Sequence, residues 1–306
     1  MKKSAPRSIL SMSPRQLDII AVLLSAFAFY LNSACVSYAA QHTRATPGFF
    51  VVSRSLIGAL LTPLVIMIVF GKPAKPKKVK SLCLRGLANF LALLTFFEAT
   101  ARLGPALGNL LNLTYPIFLA LFSIFDPLER YRIRSTIIST TVAFAGMVLV
   151  LQPTSGADTD LAGVLVGLLS GAIGAIAVAS LKSARSSNSP GTILTFLFAI
   201  SLPLSLVCFW QEIFVPNLEE FLLLLLGSLA GVVGQYLFAL GARHISAAES
   251  GIISQSRIVF AAVIGQFLAL ETALAGSQII GIALICLINM QLLISKPVKV
   301  PTGTVS

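Results

Sequence analysis

Apolar residues recur in ten runs of roughly twenty, parted by short polar or basic stretches. The runs are Leu17–Ala40, Gly48–Phe70, Ser81–Ala101, Pro105–Phe125, Ser135–Leu151, Leu161–Leu181, Gly191–Trp210, Phe221–Ala242, Ser246–Leu270 and Ser277–Ile294. At about 1.5 Å of rise per helical residue, each is long enough for a hydrocarbon core about 30 Å thick. The pattern predicts an all-α polytopic membrane protein of ten transmembrane helices. Its tightest turns are Arg102-Leu103-Gly104 and Arg243-His244-Ile245. Arg102 and Arg243 stand close to half the chain apart, and each follows an alanine. The chain therefore reads as two five-helix repeats, 17–152 and 161–294, between tails 1–16 and 295–306. Five is odd, so the repeats must cross the membrane in opposite directions, as in secondary transporters whose substrate site lies between the halves.

Loop charge orients the prediction. With the N-terminus inside, the inner segments collect the Lys2–Arg15 cluster, Lys72–Lys80, Arg130–Arg134, Lys182, Arg185, Arg243, Lys296 and Lys299. The outer segments hold only Arg44 and Arg102 among basic residues, with Asp158, Asp160, Glu212, Glu219 and Glu220. That asymmetry is the positive-inside pattern and places both tails in the cytoplasm, of a bacterial inner membrane by this reading.

Composition then removes alternatives. Of the residues, 56% are hydrophobic and 11% charged. The mean hydropathy of +0.92 leaves no room for a soluble domain. The net charge of +11 sits in short loops facing lipid headgroups, so nucleic acid is not an expected partner. Cys35, Cys83, Cys208 and Cys286 have no paired spacing, and His42 and His244 are the only histidines, so neither a disulfide framework nor a metal site is expected. No His-Glu-x-x-His, Gly-x-Ser-x-Gly or phosphate-cradling loop occurs. The chain is read as no enzyme and as needing no cofactor. The expected partners are the bilayer and a small-molecule substrate, and the architecture is compatible with a homodimer.

Polar residues inside the apolar runs mark the candidate chemistry. Arg257 lies about 20 Å along its run, deep in the hydrocarbon, where a charge costs a few kcal/mol unless it faces partners or a watery cavity. Ser250 and Ser254 share its predicted helix face, and the offset between the two Ala-Arg turns brings Asn109 into register with Ser250. With Asn112, these residues form a candidate stripe for a carboxylate or phosphate, which Arg grips in bidentate fashion. Asn32, Tyr115, Gln235 and Tyr236 are further candidate cavity liners. The competing reading of Arg257 is a structural ion pair with Glu98 or Glu249. Glu98 and Glu249 are themselves candidates for proton coupling. Glu98 alternatively pairs with Arg102 one turn on, and Glu249 alternatively serves a helix start. Arg54 is expected to snorkel to the headgroups as an anchor. Gly163, Gly167 and Gly171 line one helix face and predict close packing.

The chain resembles the ten-helix EamA type of the drug/metabolite transporter superfamily. The resemblance rests on Pro47 with Arg54, on the paired Ala-Arg hairpins, and on Glu271 followed by Gln278-Ile279-Ile280-Gly281. Pro116 fits a proline common in that family's fourth helix, whereas the register-matched residue of the second half is Arg257. The resemblance implies a core of helices one to four and six to nine around a central cavity. It also implies transport of small organic solutes, often export of amino acids. The resulting expectation is a secondary active transporter exporting a small polar metabolite, an amino acid or related carboxylate-bearing solute, by alternating access. The alternative is a proton-independent facilitator or exchanger, or an uptake permease for a nucleotide- or sugar-like metabolite.

Overall fold

A computed structural model describes residues 12–70, 75–103, 105–122, 124, 133–152, 160–269 and 274–294. Residues 1–11 and 295–306 of the tails and Glu271 of the family motif lie outside them, whereas Gln278, Ile279, Ile280 and Gly281 are described. Among the described residues twelve α-helices follow one another: α1 Pro14–His42, α2 Pro47–Phe70, α3 Val79–Leu103, α4 Pro105–Asn112, α5 Tyr115–Phe122, α6 Ile133–Leu151, α7 Leu161–Arg185, α8 Pro190–Phe209, α9 Leu218–Gly241, α10 Ala247–Ser254, α11 Ser256–Ala269 and α12 Gly276–Ile294. Nine helical spans are long and apolar enough to cross a membrane among the described residues, and Leu107–Phe122 is a shorter apolar stretch. Large apolar side chains such as Leu60, Val207 and Leu287 are exposed on the outer surface, as lipid contact requires.

Polar side chains fix the helix starts. Ser13, Asn217 and Ser246 each make a reciprocal capping box with Gln16, Glu220 and Glu249. Asp160 caps α7 and Ser189 caps α8 ahead of Pro190.

The helix pairing is symmetric. α3 packs along α7 as α1 packs along α9, while α2 meets α8 and α6 meets α12. Exchanging the two halves maps this set of contacts onto itself. The pair α6 and α12 touches at Gly146 and Gly281, where a Cβ on Gly146 would lie 2.8 Å from the Gly281 carbonyl oxygen. The glycine face of α7 receives the α3–α4 corner and α4. A Cβ on Gly163 would meet Leu103, one on Gly167 would meet Leu111, and one on Gly171 would lie 2.9 Å from the Leu111 carbonyl oxygen.

One sequence expectation needs correction. The fourth and ninth spans, expected to be continuous, are each broken in two. Thr114 N–H donates to the Leu111 carbonyl (3.2 Å) and Ile117 N–H to Thr114 (2.8 Å). Gln255 N–H donates to Ile252 (3.2 Å) and Ile258 N–H to Gln255 (3.0 Å), the same pattern at the matching place in the second half. These i→i+3 bonds tighten the backbone and shift the helix phase. In the first half Pro116 has no N–H to offer the Asn112 carbonyl. The buried Gln255 side chain reaches from one break to the other and donates to the Leu113 carbonyl (3.4 Å).

Candidate functional site

The two breaks lie beside a cavity of about 530 Å³, within the usual range for a small-molecule site. On α1 it is lined by Phe29, Asn32, Ser33, Val36, Ser37, Ala40 and Gln41. Their three- and four-residue spacing is a single helix face. Ser33, Ser37, Ala40 and Gln41 lie toward one end of that face, and Pro47 and Thr100 line the same end. The cavity therefore opens where α1 ends and α2 begins. At the other end it stops at Arg85, Gln235 and Phe238, all buried.

Beyond that floor the bundle is tied shut. Arg15 Nη2 donates to Glu249 (2.6 Å), and its Nη1 donates to the Leu292 carbonyl (2.7 Å). Asp18 accepts the His244 N–H (2.5 Å) and lies 3.0 Å from its Nδ1. Lys182 donates to the carbonyls of Ala242, Arg243 and Ile245. These bonds lock the α9–α10 hairpin onto α1 and α7. At the mouth, Arg102 pairs with Glu98 (2.6 Å) and with Asp160 (3.2 Å). The Arg102 guanidinium holds the Asp160 carboxyl below the usual carboxylate range.

Three arginines line the cavity, Arg54 from α2, Arg85 from α3 and Arg257 from α11, and no carboxylate does so among the described residues. Arg257 Nη2 donates to Asn112 Oδ1 (3.3 Å) and Arg85 Nη2 to Gln235 Oε1 (2.8 Å). Gln235 Nε2 reaches Asn89 Oδ1 at 3.4 Å. The Tyr115 hydroxyl, hydrogen-bonded to Ser254, lines the same cavity as Arg85 and Arg257.

The structure gathers seven of the nine sequence candidates for substrate contact around this cavity: Arg257, Ser254, Asn109, Asn112, Tyr115, Gln235 and Asn32. Ser250 and Tyr236 lie elsewhere. Ser250, one turn before Ser254 on α10, is fully buried and donates back to the Ser246 carbonyl (2.9 Å). Tyr236 packs against the main apolar core. Glu98 is exposed and held by Arg102, while Glu249 is buried against Arg15 below the floor. Neither lines the cavity or pairs with Arg257. Arg54, expected to snorkel to the headgroups, lies in the cavity wall. Gly231 makes room for it, since a Cβ there would stand 2.6 Å from Arg54 Cδ. Pro116 is buried and packs against Gly251.

Arg85 and Asn89 were not singled out from the sequence. Arg85 comes soon after the Lys75–Lys80 cluster, so it reads as the tail of a basic loop. Its place one turn inside an apolar run was the available signal. Asp18, in the first turns of α1, is the acceptor that anchors the His244 hairpin.

An all-helical membrane protein built from paired halves around a blind-ended polar cavity belongs to the class of membrane carriers. The sequence profile of the EamA-like transporter family matches residues 16–152 and 161–290, so the chain belongs to that family, within the drug/metabolite transporter superfamily. It is an integral membrane transporter. It is similar to an uncharacterized transporter of Helicobacter pylori (strain ATCC 700392 / 26695), 29% identical over 280 residues, which cover 86% of this chain and 90% of the relative. A second, from Helicobacter pylori strain J99 / ATCC 700824, is 28% identical over the same shares. A solved protein crystal structure, 19% identical, superposes with a TM-score of 0.72 over 93% of this chain and 97% of that one, a likeness of fold.

Proposed function

We propose that this transporter carries a small solute bearing a carboxylate or phosphate, that it exports that solute, and that it works by alternating access. The observation that carries the reading is Arg257. It lies at the junction of the halves, beside Asn112, with no carboxylate among its described neighbours. A guanidinium held in that setting is stabilised by an anion and destabilised by its absence. Asn112, Tyr115 and Ser254 around it supply hydrogen bonds for the rest of a polar metabolite.

Alternating access is supported by the contrast between the ends. One end is open between α1, α2 and α3, and the other is closed by the Arg15, Asp18 and Lys182 bonds. In this proposal the halves 17–152 and 161–294 rock about the paired breaks. Loop charge supports an N-terminus inside a bacterial inner membrane, which turns the open end outward.

The cavity lining favours the proton-independent reading over proton coupling through Glu98 or Glu249, because both carboxylates are engaged away from it. Counterflow in proteoliposomes tests the whole proposal. Labelled amino acids and organic acids are expected to accumulate against unlabelled internal solute, and Arg257→Ala is expected to abolish that accumulation. Uptake of neutral solutes alone, or full activity in Arg257→Ala, refutes the anion anchor.

A further inference from the structure

We infer that the transported solute carries two negative charges, and that Arg85 is the second anchor. This rests on the transport reading above and names the substrate class of the same cavity. Arg85 is 3% exposed and lines the cavity. The only hydrogen bond its side chain makes among the described residues is to Gln235, and its buried Nε has no partner among them. A buried donor on a permanent cation is costly to leave unsatisfied, so this guanidinium calls for an acceptor the protein does not supply.

Arg257 faces the same space from the other half. Arg85, Tyr115 and Arg257 all line this cavity, so it presents one cation from α3 and one from α11. These two guanidiniums and that of Arg54 share one low-dielectric cavity and repel one another, and a single carboxylate leaves more than one of them uncompensated. A short dicarboxylate or a phosphorylated metabolite supplies a charge to each of Arg85 and Arg257, and Asn89 and Asn112 in the same lining offer hydrogen bonds to its other polar atoms.

The bond that Arg85 does make gives this anchor a second consequence. Gln235 belongs to α9, in the other half, so Arg85–Gln235 is a tie between halves at the floor. An acidic group that draws the guanidinium toward the solute competes with Gln235 for it and slackens that tie. Occupancy by the doubly charged solute then favours the movement that opens the floor.

The test is a thermal-shift titration of the purified full-length protein in detergent at fixed pH and ionic strength. The probes are succinate and glycerol phosphate as two-charge solutes, and butyrate as the one-charge control. In the parent protein at least one two-charge probe is expected to bind about 10- to 100-fold more tightly than butyrate, the scale of one added charge-assisted hydrogen-bond set. Arg85→Ala is expected to reduce that preference to near unity by weakening the two-charge probe far more than butyrate. Gln235→Glu supplies Arg85 with an internal carboxylate, and it is expected to erase the preference with Arg85 still present. It carries the test should Arg85→Ala not fold. Whichever two-charge probe binds tells a dicarboxylate site from a phosphate site. Butyrate binding that depends on Arg257, with no preference for either two-charge probe, overturns the second anchor and leaves the transport proposal standing. A preference unchanged in Arg85→Ala or Gln235→Glu overturns it as well. No stabilisation by any of the three, with no counterflow, overturns both.

Discussion

Glu98 and Glu249 are acids in apolar surroundings, and their neighbours assign them different work. Glu98 is exposed at the mouth, one turn before Arg102, in an i,i+4 pair of the kind that contributes about 0–1 kcal/mol. Glu98→Gln is therefore expected to lower the melting temperature little and to leave transport within about twofold, with an unshifted pH profile. A flattened or displaced pH profile in proteoliposomes would restore Glu98 as a proton carrier. Glu249 is buried with Arg15, and removing one member of a buried pair strands the other charge. Glu249→Ala is expected to cost about 3–5 kcal/mol, read as a large fall in melting temperature, and Arg15→Ala with Glu249→Ala to recover part of it. The sequence exposed the charges that interrupt apolar runs, which is why Arg257 was legible. It also exposed the local pair of Glu98 with Arg102, but not that of Glu249, because Arg15 stands 234 residues away in the chain. Arg85 was hidden for a different reason, its nearness to a lysine-rich loop.

At the scale of the helix, the broken spans are where periodicity misled. Apolar content predicts that a segment crosses the membrane, and both halves of each broken span are apolar enough to pass as one helix. The break is written in local hydrogen bonds. The Thr114 hydroxyl donates to the Leu111 carbonyl (2.6 Å), competing for an acceptor that a continuous helix would use. Packing then holds the break, since α7 offers α4 a groove of glycines. Gly171 and Gly174 lie on that helix one turn apart, yet they meet the break differently. A Cβ on Gly171 would press on the Leu111 carbonyl oxygen at 2.9 Å, whereas one on Gly174 would touch Tyr115 Cβ at an ordinary 3.4 Å. Gly171→Ala is expected to destabilise by about 1–3 kcal/mol, and Gly174→Ala to change stability by less than about 0.5 kcal/mol. Thermal melts of the two variants side by side decide this, and equal effects would show that the glycine face is not shaped to the break.

For the molecule as a whole, duplication explains why a mechanism follows from one static arrangement. The contact between α3 and α7 has its counterpart in α1 and α9, and the break at Thr114 has its counterpart at Gln255. In the proposed alternating-access cycle, two halves with interchangeable contacts exchange the roles of mouth and floor. The floor carries the buried Arg15–Glu249 pair, whereas Arg102 at the mouth pairs in the open. On that proposal the floor-closed arrangement is the resting state, and loosening the floor is expected to shift the population. Cysteine accessibility measures that shift and the orientation together. Ser37 lines the mouth on α1, and His244 belongs to the hairpin that seals the floor. In a background with Cys35, Cys83, Cys208 and Cys286 replaced, Ser37→Cys is expected to react with an impermeant maleimide from outside intact cells. Phe238→Cys, on the floor itself, is expected to stay unreactive from the inner face of inverted vesicles. Adding Asp18→Asn weakens the tie to His244, and it is expected to make Phe238→Cys reactive from that inner face while slowing the labelling of Ser37→Cys. Reaction of Ser37→Cys only from the inner face would reverse the orientation. Labelling at Phe238→Cys without any loss at Ser37→Cys would mean that both ends open at once, the behaviour of a pore and not of a carrier.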